Sequence, residues 1–477
     1  GDTMNTFFYF LFNTTTTQNG AITHKSSLSA CLDLFSMGVS SSSKNALIAS
    51  ALKENPVLAI KTILYLRDVR NGQGNKDIAR AFHSVVNATL TKYPAFYNPY
   101  IKLIKHLPEV GSWKDVYNLY GINKKLDKEI LTLVTDALNN NNALAAKWFH
   151  RQSQFHKDYA KSLGLDMGTV RRQVAKLTSV VETAMCNKQW HTINYEHVPS
   201  RANLIYSKAF LRNDSSRRQD FLAKAQLGTA SIKASVLYPH EITSKALSDS
   251  SMEALWKALP DYMESSEQFN ILPIVDVSGS MDSTVPGTKI TCMDIAIGLG
   301  LYAAEHNRGA YKDILCTFDS RPSFHKLTGT TLASRVRETQ RLPWGMSTNL
   351  QAVFDKILSN SIRANAEDLP KVILIISDME FNECDNNYMT NYQLINQKYA
   401  SAGIDMPTIV FWRVNTILAQ QPVTKDERGT ILINGYSPSI LKHILSMDLS
   451  SLEDITPMNM FLNTVQPKYT YVDELFS

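Results

Sequence analysis

The chain has 477 residues, of which 44% are apolar and 19% are charged. This length is too great for one hydrophobic core, so we expect two or three domains. No apolar run reaches the roughly 18 residues that a membrane helix needs, which argues against a membrane protein. Five scattered cysteines, none in CxxC spacing, indicate neither a disulfide framework nor a zinc site. They predict a reducing compartment and therefore a cytoplasmic protein, with a virion component as the alternative.

The charges are divided between the two halves of the chain. Residues 1–250 carry 31 Lys and Arg against 18 Asp and Glu, whereas residues 251–477 carry 18 against 26. A basic first half could bind a polyanion. Alternatively, a solvated surface with uneven charge explains the same counts equally well.

The first half has the pattern of a helical repeat. In "KNALIASALKENPVLAIKTILYLRDVR" the apolar residues recur at helical spacing on both sides of Asn55-Pro56, a dipeptide that typically separates two helices. Similar segments return every 35 to 50 residues or so. We therefore predict a HEAT-like helical-repeat domain over residues 1–265.

From residue 266 to residue 477 short apolar runs alternate with helical stretches. The runs are "FNILPIVDV", "DILCTFDS", "KVILIISDM" and "MPTIVFWRV". This alternation predicts an α/β domain with a doubly wound parallel sheet. In such sheets ligands bind at the carboxyl ends of the strands, where Asp276 and Asp378 stand.

Oxygen ligands cluster at the end of the first run, "ILPIVDVSGSMD". Asp276, Ser278 and Ser280 alternate there, so an extended loop would turn them to one side. We expect Thr348 and Asp378 to add donors from neighbouring loops, with Ser347 as the competing hydroxyl. Such oxygens suit a hard cation, which is Mg²⁺ or another divalent ion such as Mn²⁺ or Ca²⁺.

The order "DVSGSM", then a Thr, then "SDM" resembles the metal-ion-dependent adhesion site of von Willebrand factor A domains, whose signature is DxSxS with a later Thr and Asp. The resemblance implies a Rossmann-like A domain that binds a protein partner through its metal. The Thr348 loop departs from the usual Gly-Gly-Thr, which makes this residue the least secure ligand.

A second resemblance covers nearly the whole chain. Segments such as "LRDVRNGQGNKDIAR", "GSWKDVYNLY" and "VPSRANLIYSKAFLRND" are similar to the helical region of an uncharacterised plant, fungal and phage family with a C-terminal A domain. That family resembles in layout the TROVE module of the Ro autoantigen. The resemblance implies a ribonucleoprotein whose helical repeats close into a ring and bind small noncoding or misfolded RNA.

The residues themselves offer two candidate RNA-binding clusters. The first surrounds a glycine-containing loop and the second interleaves cations with Tyr206 and Phe210. Both have a plainer interpretation, as a helix turn with solvated charges and as a helix whose Tyr206 and Phe210 form one core-facing ridge. The clusters are Arg67, Arg70, Lys76 and Arg80, and Arg201, Lys208, Arg212, Arg217 and Arg218.

Catalytic motifs are missing from the sequence, which has no nucleophile elbow, HExxH or P-loop. We therefore predict a non-catalytic, Ro-like RNA-binding protein whose A domain holds a divalent cation. The first alternative is a metal-dependent interaction or scaffold protein, such as a virion component, that binds no RNA. The second is a metallo-hydrolase, although metal-assisted phosphate hydrolysis usually needs two ions and more carboxylates.

Overall fold

The structure is a computed structural model of the whole chain. It describes residues 12–178, 180–285, 288–318, 321–343, 345, 347–386, 388–448 and 454–477. Within the described residues the chain forms many helices, a two-stranded hairpin and a six-stranded sheet.

The six-stranded sheet has the order β5-β4-β3-β6-β7-β8. All neighbours run parallel except the edge strand β5, which is antiparallel to β4. Strands β1 and β2 form the separate antiparallel hairpin. The strands are β1 Thr14–Thr16, β2 Ile22–His24, β3 Ile271–Asp276, β4 Ile314–Phe318, β5 Ser323–Lys326, β6 Val372–Ser377, β7 Thr408–Arg413 and β8 Thr430–Asn434.

The helices of the first part of the chain, in order, are α1 Ala30–Met37, α2 Lys44–Glu54, α3 Pro56–Arg67, α4 Lys76–Thr89, α5 Pro94–Leu103, α6 Leu107–Val110, α7 Trp113–Tyr117, α8 Lys124–Asn139, α9 Ala143–Lys147, α10 Gln154–Ser162, α11 Met167–Leu177, α12 Val181–Cys186, α13 Ser200–Ile205, α14 Ser207–Asn213 and α15 Ser215–Gln226. Those that follow are α16 Pro239–Thr243, α17 Met252–Lys257, α18 Cys292–His306, α19 Leu332–Gln340, α20 Leu350–Ser361, α21 Asn391–Ala402, α22 Ile440–Ser446, α23 Pro457–Val465 and α24 Thr470–Phe476.

Local sequence explains several helix ends. The predicted break at Asn55-Pro56 is confirmed, because α2 ends at Glu54, Asn55 is extended and α3 begins at Pro56. Asn75 starts α4 by accepting a hydrogen bond from the Ile78 backbone N–H. Such a cap satisfies one of the free N–H groups in the first turn.

The chain divides into two compact units. The sheet unit comprises residues 1–62 and 234–468, and the helical unit comprises residues 63–233 and 469–477. The N-terminal hairpin and α1 therefore fold with the sheet, whereas the sequence had grouped residues 1–265 together. In the sheet unit, β3, β6, β7 and β8 are buried along their whole length.

The predicted combination of helices with a largely parallel sheet is confirmed. The predicted strands did not include β5, a four-residue edge strand, or β8, whose sequence "TILIN" is as long as that of the predicted β4. The HEAT-like repeat, the ring and the A-domain identity stay predictions. No helix among the described residues is both long and apolar enough to cross a membrane.

Candidate functional site

The two predicted aspartates lie at the same edge of the sheet. Asp276 is the last residue of β3, and Asp378 directly follows β6, the parallel neighbour of β3. The Ser377 hydroxyl, at the end of β6, donates a hydrogen bond of 2.6 Å to Oδ2 of Asp276. Both aspartates are fully buried. The strand order therefore brings together carboxylates that are about 100 residues apart in the sequence.

The loop after β3 turns back toward Asp276. The Ser278 backbone N–H donates to Oδ1 of Asp276 over 2.9 Å, and the Ser278 and Ser280 hydroxyl oxygens lie 3.1 Å apart. Ser278 is buried and Ser280 is half-buried. The alternating oxygens predicted from the sequence are thus adjacent, at the end of the strand that carries Asp276.

One carboxylate oxygen at this edge lacks a partner among the described residues. Oδ1 of Asp378 accepts the Glu380 backbone N–H over 3.1 Å, whereas no described residue forms a hydrogen bond with the buried Oδ2. A buried polar atom without a partner costs roughly 1–3 kcal/mol. A cation bound by Oδ2 would remove that cost.

The electrostatics of the edge oppose two negative charges. Burial, and then the charge of Asp378, raise the pKa of Asp276. Burial also raises the pKa of Asp378, an effect that the charge of Arg413 offsets in part. Arg413, at the end of β7, is buried and donates from Nη1 to the Asp378 carbonyl over 3.2 Å. A cation between two buried carboxylates would stabilise their charged forms.

Thr348 contacts the segment that follows Asp378. Its hydroxyl lies 2.8 Å from the Glu380 carbonyl oxygen and 2.9 Å from Oδ1 of Asn382, and the side chain is fully buried. The hydroxyl of Ser347, the competing candidate, accepts from Nδ2 of Asn382 over 2.8 Å. Asn382, in the loop that follows the predicted ligand Asp378, therefore contacts the hydroxyls of both Thr348 and Ser347.

A turn of the N-terminal hairpin, which the sequence did not predict, reaches this loop. Asn19 Nδ2 donates to the Thr348 hydroxyl over 3.2 Å and to the Glu380 carbonyl over 2.7 Å. The Gln18 backbone N–H donates to the Glu380 carboxylate, and the Thr17 hydroxyl donates to the Phe381 carbonyl. No local pattern marks these residues, because their partners lie more than 300 residues away.

Glu380 is an acidic side chain at this edge that no sequence pattern indicated. It is fully buried, burial raises its pKa, and its carboxylate accepts the Gln18 and Leu418 N–H groups. Within the described ranges, no three or more His, Cys, Asp and Glu side chains form a group that could hold a metal. A cation here would therefore depend on serine and threonine hydroxyls beside two carboxylates.

The predicted RNA-binding residues all lie in the helical unit, and most are on its surface. The exposed ones are Arg70, Lys76, Arg80, Arg201, Lys208, Arg212 and Arg217. Arg217 is nevertheless engaged, since its guanidinium donates to Asp214 over 2.7 Å and to the Ile193 carbonyl over 2.7 Å.

Arg67 and Arg218 require a correction. Arg67 is buried and donates from Nε to Asp115 over 2.9 Å. Arg218 is fully buried, with its guanidinium 4.8 Å from the centre of the Phe210 ring and 4.9 Å from that of Tyr195. Both arginines stabilise the core and do not offer their charges to a nucleic acid at the surface. The burial of Phe210 agrees with the core-ridge alternative.

Sequence comparison places this architecture in a family. Residues 17–161 and 130–270 match a domain of unknown function, DUF2828, and residues 270–466 match another, DUF7788. The protein belongs to the DUF2828 family. This DUF2828 protein is also similar to the uncharacterized protein L728 of Acanthamoeba polyphaga mimivirus, with 29% identity over 95% of this chain and 88% of the relative. These descriptions leave the function open, so the likeness to A domains and to Ro stays an expectation.

Proposed function

We propose that this protein is a non-catalytic binding protein that holds one divalent cation at the carboxyl edge of its sheet. The observation that carries the proposal is the buried Oδ2 of Asp378, which has no hydrogen-bond partner within the described part of the chain, beside the fully buried Asp276. Two carboxylates provide charge, and the Ser278 and Ser280 hydroxyls provide neutral oxygens. This donor set is typical of Mg²⁺, and Mn²⁺ or Ca²⁺ would be accommodated by the same chemistry.

The bound ion would serve recognition. Two carboxylates and a few hydroxyls leave coordination positions for water or for an oxygen of a partner. We infer that a carboxylate of a protein partner takes one of these positions, as the resemblance to the adhesion site implies. Thr348 would join as a ligand or through water, held in place by the Glu380 and Asn382 loop.

Calorimetric titration of the purified protein with Mg²⁺, Mn²⁺ and Ca²⁺ tests this proposal. We expect one site per chain, which disappears when the carboxylates are removed. Turnover of a phosphodiester in the presence of added Mg²⁺ would instead favour a metallo-hydrolase. Absence of binding for all three cations would overturn the proposal.

RNA binding by the helical unit is the second candidate function. It is supported by the exposed cations and by the charge of the unit, whose sequence holds 26 Lys and Arg against 15 Asp and Glu. Such binding would be electrostatic and would weaken steeply with salt. Absorbance at 260 nm in the purified protein, followed by sequencing of the RNA, separates this function from an RNA-free scaffold.

The two alternative functions predict different locations for the protein. An RNA-binding protein with reduced cysteines would act in the cytoplasm, whereas a scaffold could be a virion component, an alternative with which a viral relative is compatible. Detection of the protein in purified particles or in the cytoplasmic fraction of its cells decides between them.

A further inference from the structure

The two edges of the six-stranded sheet differ in how they are covered. At one edge β8 is fully buried, and α1 packs against it. The Asn434 side chain at the end of β8 accepts the Val39 backbone N–H over 2.8 Å and donates to the Ser40 hydroxyl over 2.6 Å. At the other edge lies β5, whose residues are alternately half-buried and exposed. An uncovered edge strand offers backbone groups with which another chain can pair.

The pairing of β5 with β4 determines which backbone groups face outward. The N–H of Leu327, directly after β5, donates to the Asp313 carbonyl over 2.8 Å, and the two strands are antiparallel. Because inward-facing and outward-facing residues alternate in an antiparallel ladder, the N–H and C=O groups of Phe324 and Lys326 point away from β4. Outside this ladder, no described residue forms a hydrogen bond with these groups. They are therefore available to an added strand.

The β5 strand is held in place at both of its ends. The Lys356 ammonium, on α20, donates to the carbonyl of Pro322 just before the strand over 2.8 Å and lies 5.1 Å from the centre of the Phe324 ring. The Thr328 N–H, shortly after the strand, donates to the Glu338 carboxylate over 3.0 Å. A strand that is already ordered loses little conformational freedom when a peptide pairs with it.

The charge of this edge is positive. Phe324 and Lys326 are exposed, and so is Arg321, two residues before the strand. Residues 321–337 contain four Lys and Arg and neither Asp nor Glu. In the part of the chain that the structure describes, no acidic side chain pairs with Arg321 or Lys326. A second copy of the chain would bring an edge of like charge to this one, whereas an acidic peptide would be attracted.

We propose that β5 binds an extended acidic segment of a partner protein, which adds an antiparallel strand to the sheet. The outward N–H and C=O groups of Phe324 and Lys326 would form the backbone hydrogen bonds. Residues directly opposite each other share a face of the sheet, so an acidic residue of the segment would lie beside Lys326 and an apolar or aromatic residue beside Phe324. Antiparallel pairing places these two residues two positions apart, with the acidic one first. Neither the proposed cation nor RNA takes part in this contact.

A short labelled peptide tests this surface. The capped sequence Ser-Thr-Glu-Thr-Phe-Thr-Ser has an acidic and an aromatic residue in the expected order, and its threonines favour an extended chain. We expect fluorescence anisotropy to show saturable binding to the full-length protein, and hydrogen exchange of residues 322–328 to slow when the peptide is bound. The same peptide with Lys in place of Glu should bind at least about fivefold more weakly, because it places like charges opposite each other.

N-methylated peptides separate strand pairing from attraction between charges. In the antiparallel arrangement the N–H groups of the Glu and the Phe point toward β5, and those of the threonines point away. Methylation of the Glu and Phe nitrogens should therefore abolish binding. Methylation of the two threonine nitrogens that follow the Glu and the Phe should have little effect. Equal effects of the two methylation patterns would overturn strand pairing.

Substitutions of Lys326 separate its charge from its backbone. Lys326→Ala removes the charge and keeps the outward N–H, so we expect binding to weaken by about 2- to 5-fold. Lys326→Pro also removes the N–H, which an edge strand tolerates on its open side, and should weaken binding by roughly a further 3- to 10-fold. Lys371→Ala, which removes an exposed lysine just before β6, is the control and should bind as the wild type does. Thermal unfolding reports whether each variant is folded.

The results distinguish an acidic peptide from other occupants of the edge. If the wild type does not bind the peptide, or if Lys326→Ala and Lys326→Pro bind it equally, strand addition to β5 is wrong. If the peptide with Lys binds as well as the peptide with Glu, the acidic partner is wrong. If sedimentation shows a dimer that Lys326→Pro dissociates, the occupant is a second copy of the chain. All these measurements omit Mg²⁺ and RNA, so a negative result leaves the proposed cation site and RNA binding unaffected.

Discussion

The sheet unit and the helical unit use charge in opposite ways. The sheet unit has 23 Lys and Arg against 29 Asp and Glu in its sequence, and it buries Asp276, Asp378, Glu380 and Arg413 near one edge of the sheet. The helical unit has an excess of cations, and it leaves most of them exposed. The first arrangement favours a small cation held within protein, and the second favours a large flexible anion bound at the surface.

This contrast has different consequences for the stability of each unit. Burying two carboxylates side by side costs free energy that Arg413 offsets in part and that a bound cation or protonation would offset further. The exposed lysines cost little, because water screens them. We therefore expect point substitutions at the sheet edge to act on binding and stability together. Substitutions of the exposed cations of the helical unit should act on binding almost alone.

The largest effect should follow from Asp276→Ala. The variant loses a charged ligand while the apolar residues of β3 still bury the sheet, so Mg²⁺ binding should disappear, a loss of at least about 100-fold. Without cation, the variant should unfold at the same or a higher temperature than the wild type, because it no longer has two buried carboxylates in repulsion. Calorimetry and thermal unfolding with and without Mg²⁺ measure both effects.

Asp282→Ala is the control for that experiment. Asp282 is exposed and lies two residues beyond Ser280, so the change removes a nearby charge without removing a predicted ligand. Its Mg²⁺ affinity should stay within about threefold of the wild-type value, as expected for a screened surface charge. Unaltered Mg²⁺ binding by Asp276→Ala would mean that the serine hydroxyls merely form a turn. RNA binding should persist in both variants.

His83 tests the helical unit at acid pH. Burial, and to a smaller extent the charge of Arg67, lower its pKa to about 4, whereas the nearby Asp115 raises it. Its Nδ1 lies 2.8 Å from the Tyr100 hydroxyl oxygen. Because the unfolded chain binds this proton from about pH 6.5 downward and the folded chain only near pH 4, stability should fall as the pH falls between these values. The loss from this residue is at most about 3 kcal/mol.

Urea unfolding at several pH values between 4 and 7 measures this loss. His83→Asn, which keeps a polar atom for Tyr100, should flatten the pH dependence, and exposed His191→Asn should leave it unchanged. His24 and His443 of the sheet unit also have pKa values lowered to about 4 by burial, so some dependence will remain. Equal slopes for wild type and His83→Asn would contradict the assignment.

The sequence could predict those parts of the site that depend on strand ends. Asp276 and Asp378 follow apolar runs, and parallel strands place such positions at one edge. The Asn55-Pro56 helix break was also predictable, because it follows from local backbone preferences. Ser278 and Ser280 could be found because their spacing is local.

The remaining features depend on contacts between distant residues. Asn19 reaches Thr348 across 329 positions, and Arg413 reaches Asp378 from the next strand. The burial of Arg67 and Arg218 could not be predicted from the sequence either. An arginine in a basic segment has the same local pattern whether it packs on an aromatic ring, as Arg218 does on Phe210, or faces solvent. Only the packing of the whole unit decides between these states.

The smallest effect should come from Asn19→Ala. Asn19 is exposed, yet its amide holds the Thr348 hydroxyl and the Glu380 carbonyl in place, so its loss should weaken Mg²⁺ binding by roughly tenfold without unfolding the protein. Gln18→Ala is the matched control, because Gln18 contacts Glu380 through its backbone N–H, which the substitution retains. Calorimetric titration of both variants measures the difference. Equal affinities would show that the N-terminal turn only covers the site, and the cation would then depend on β3, β6 and their loops alone.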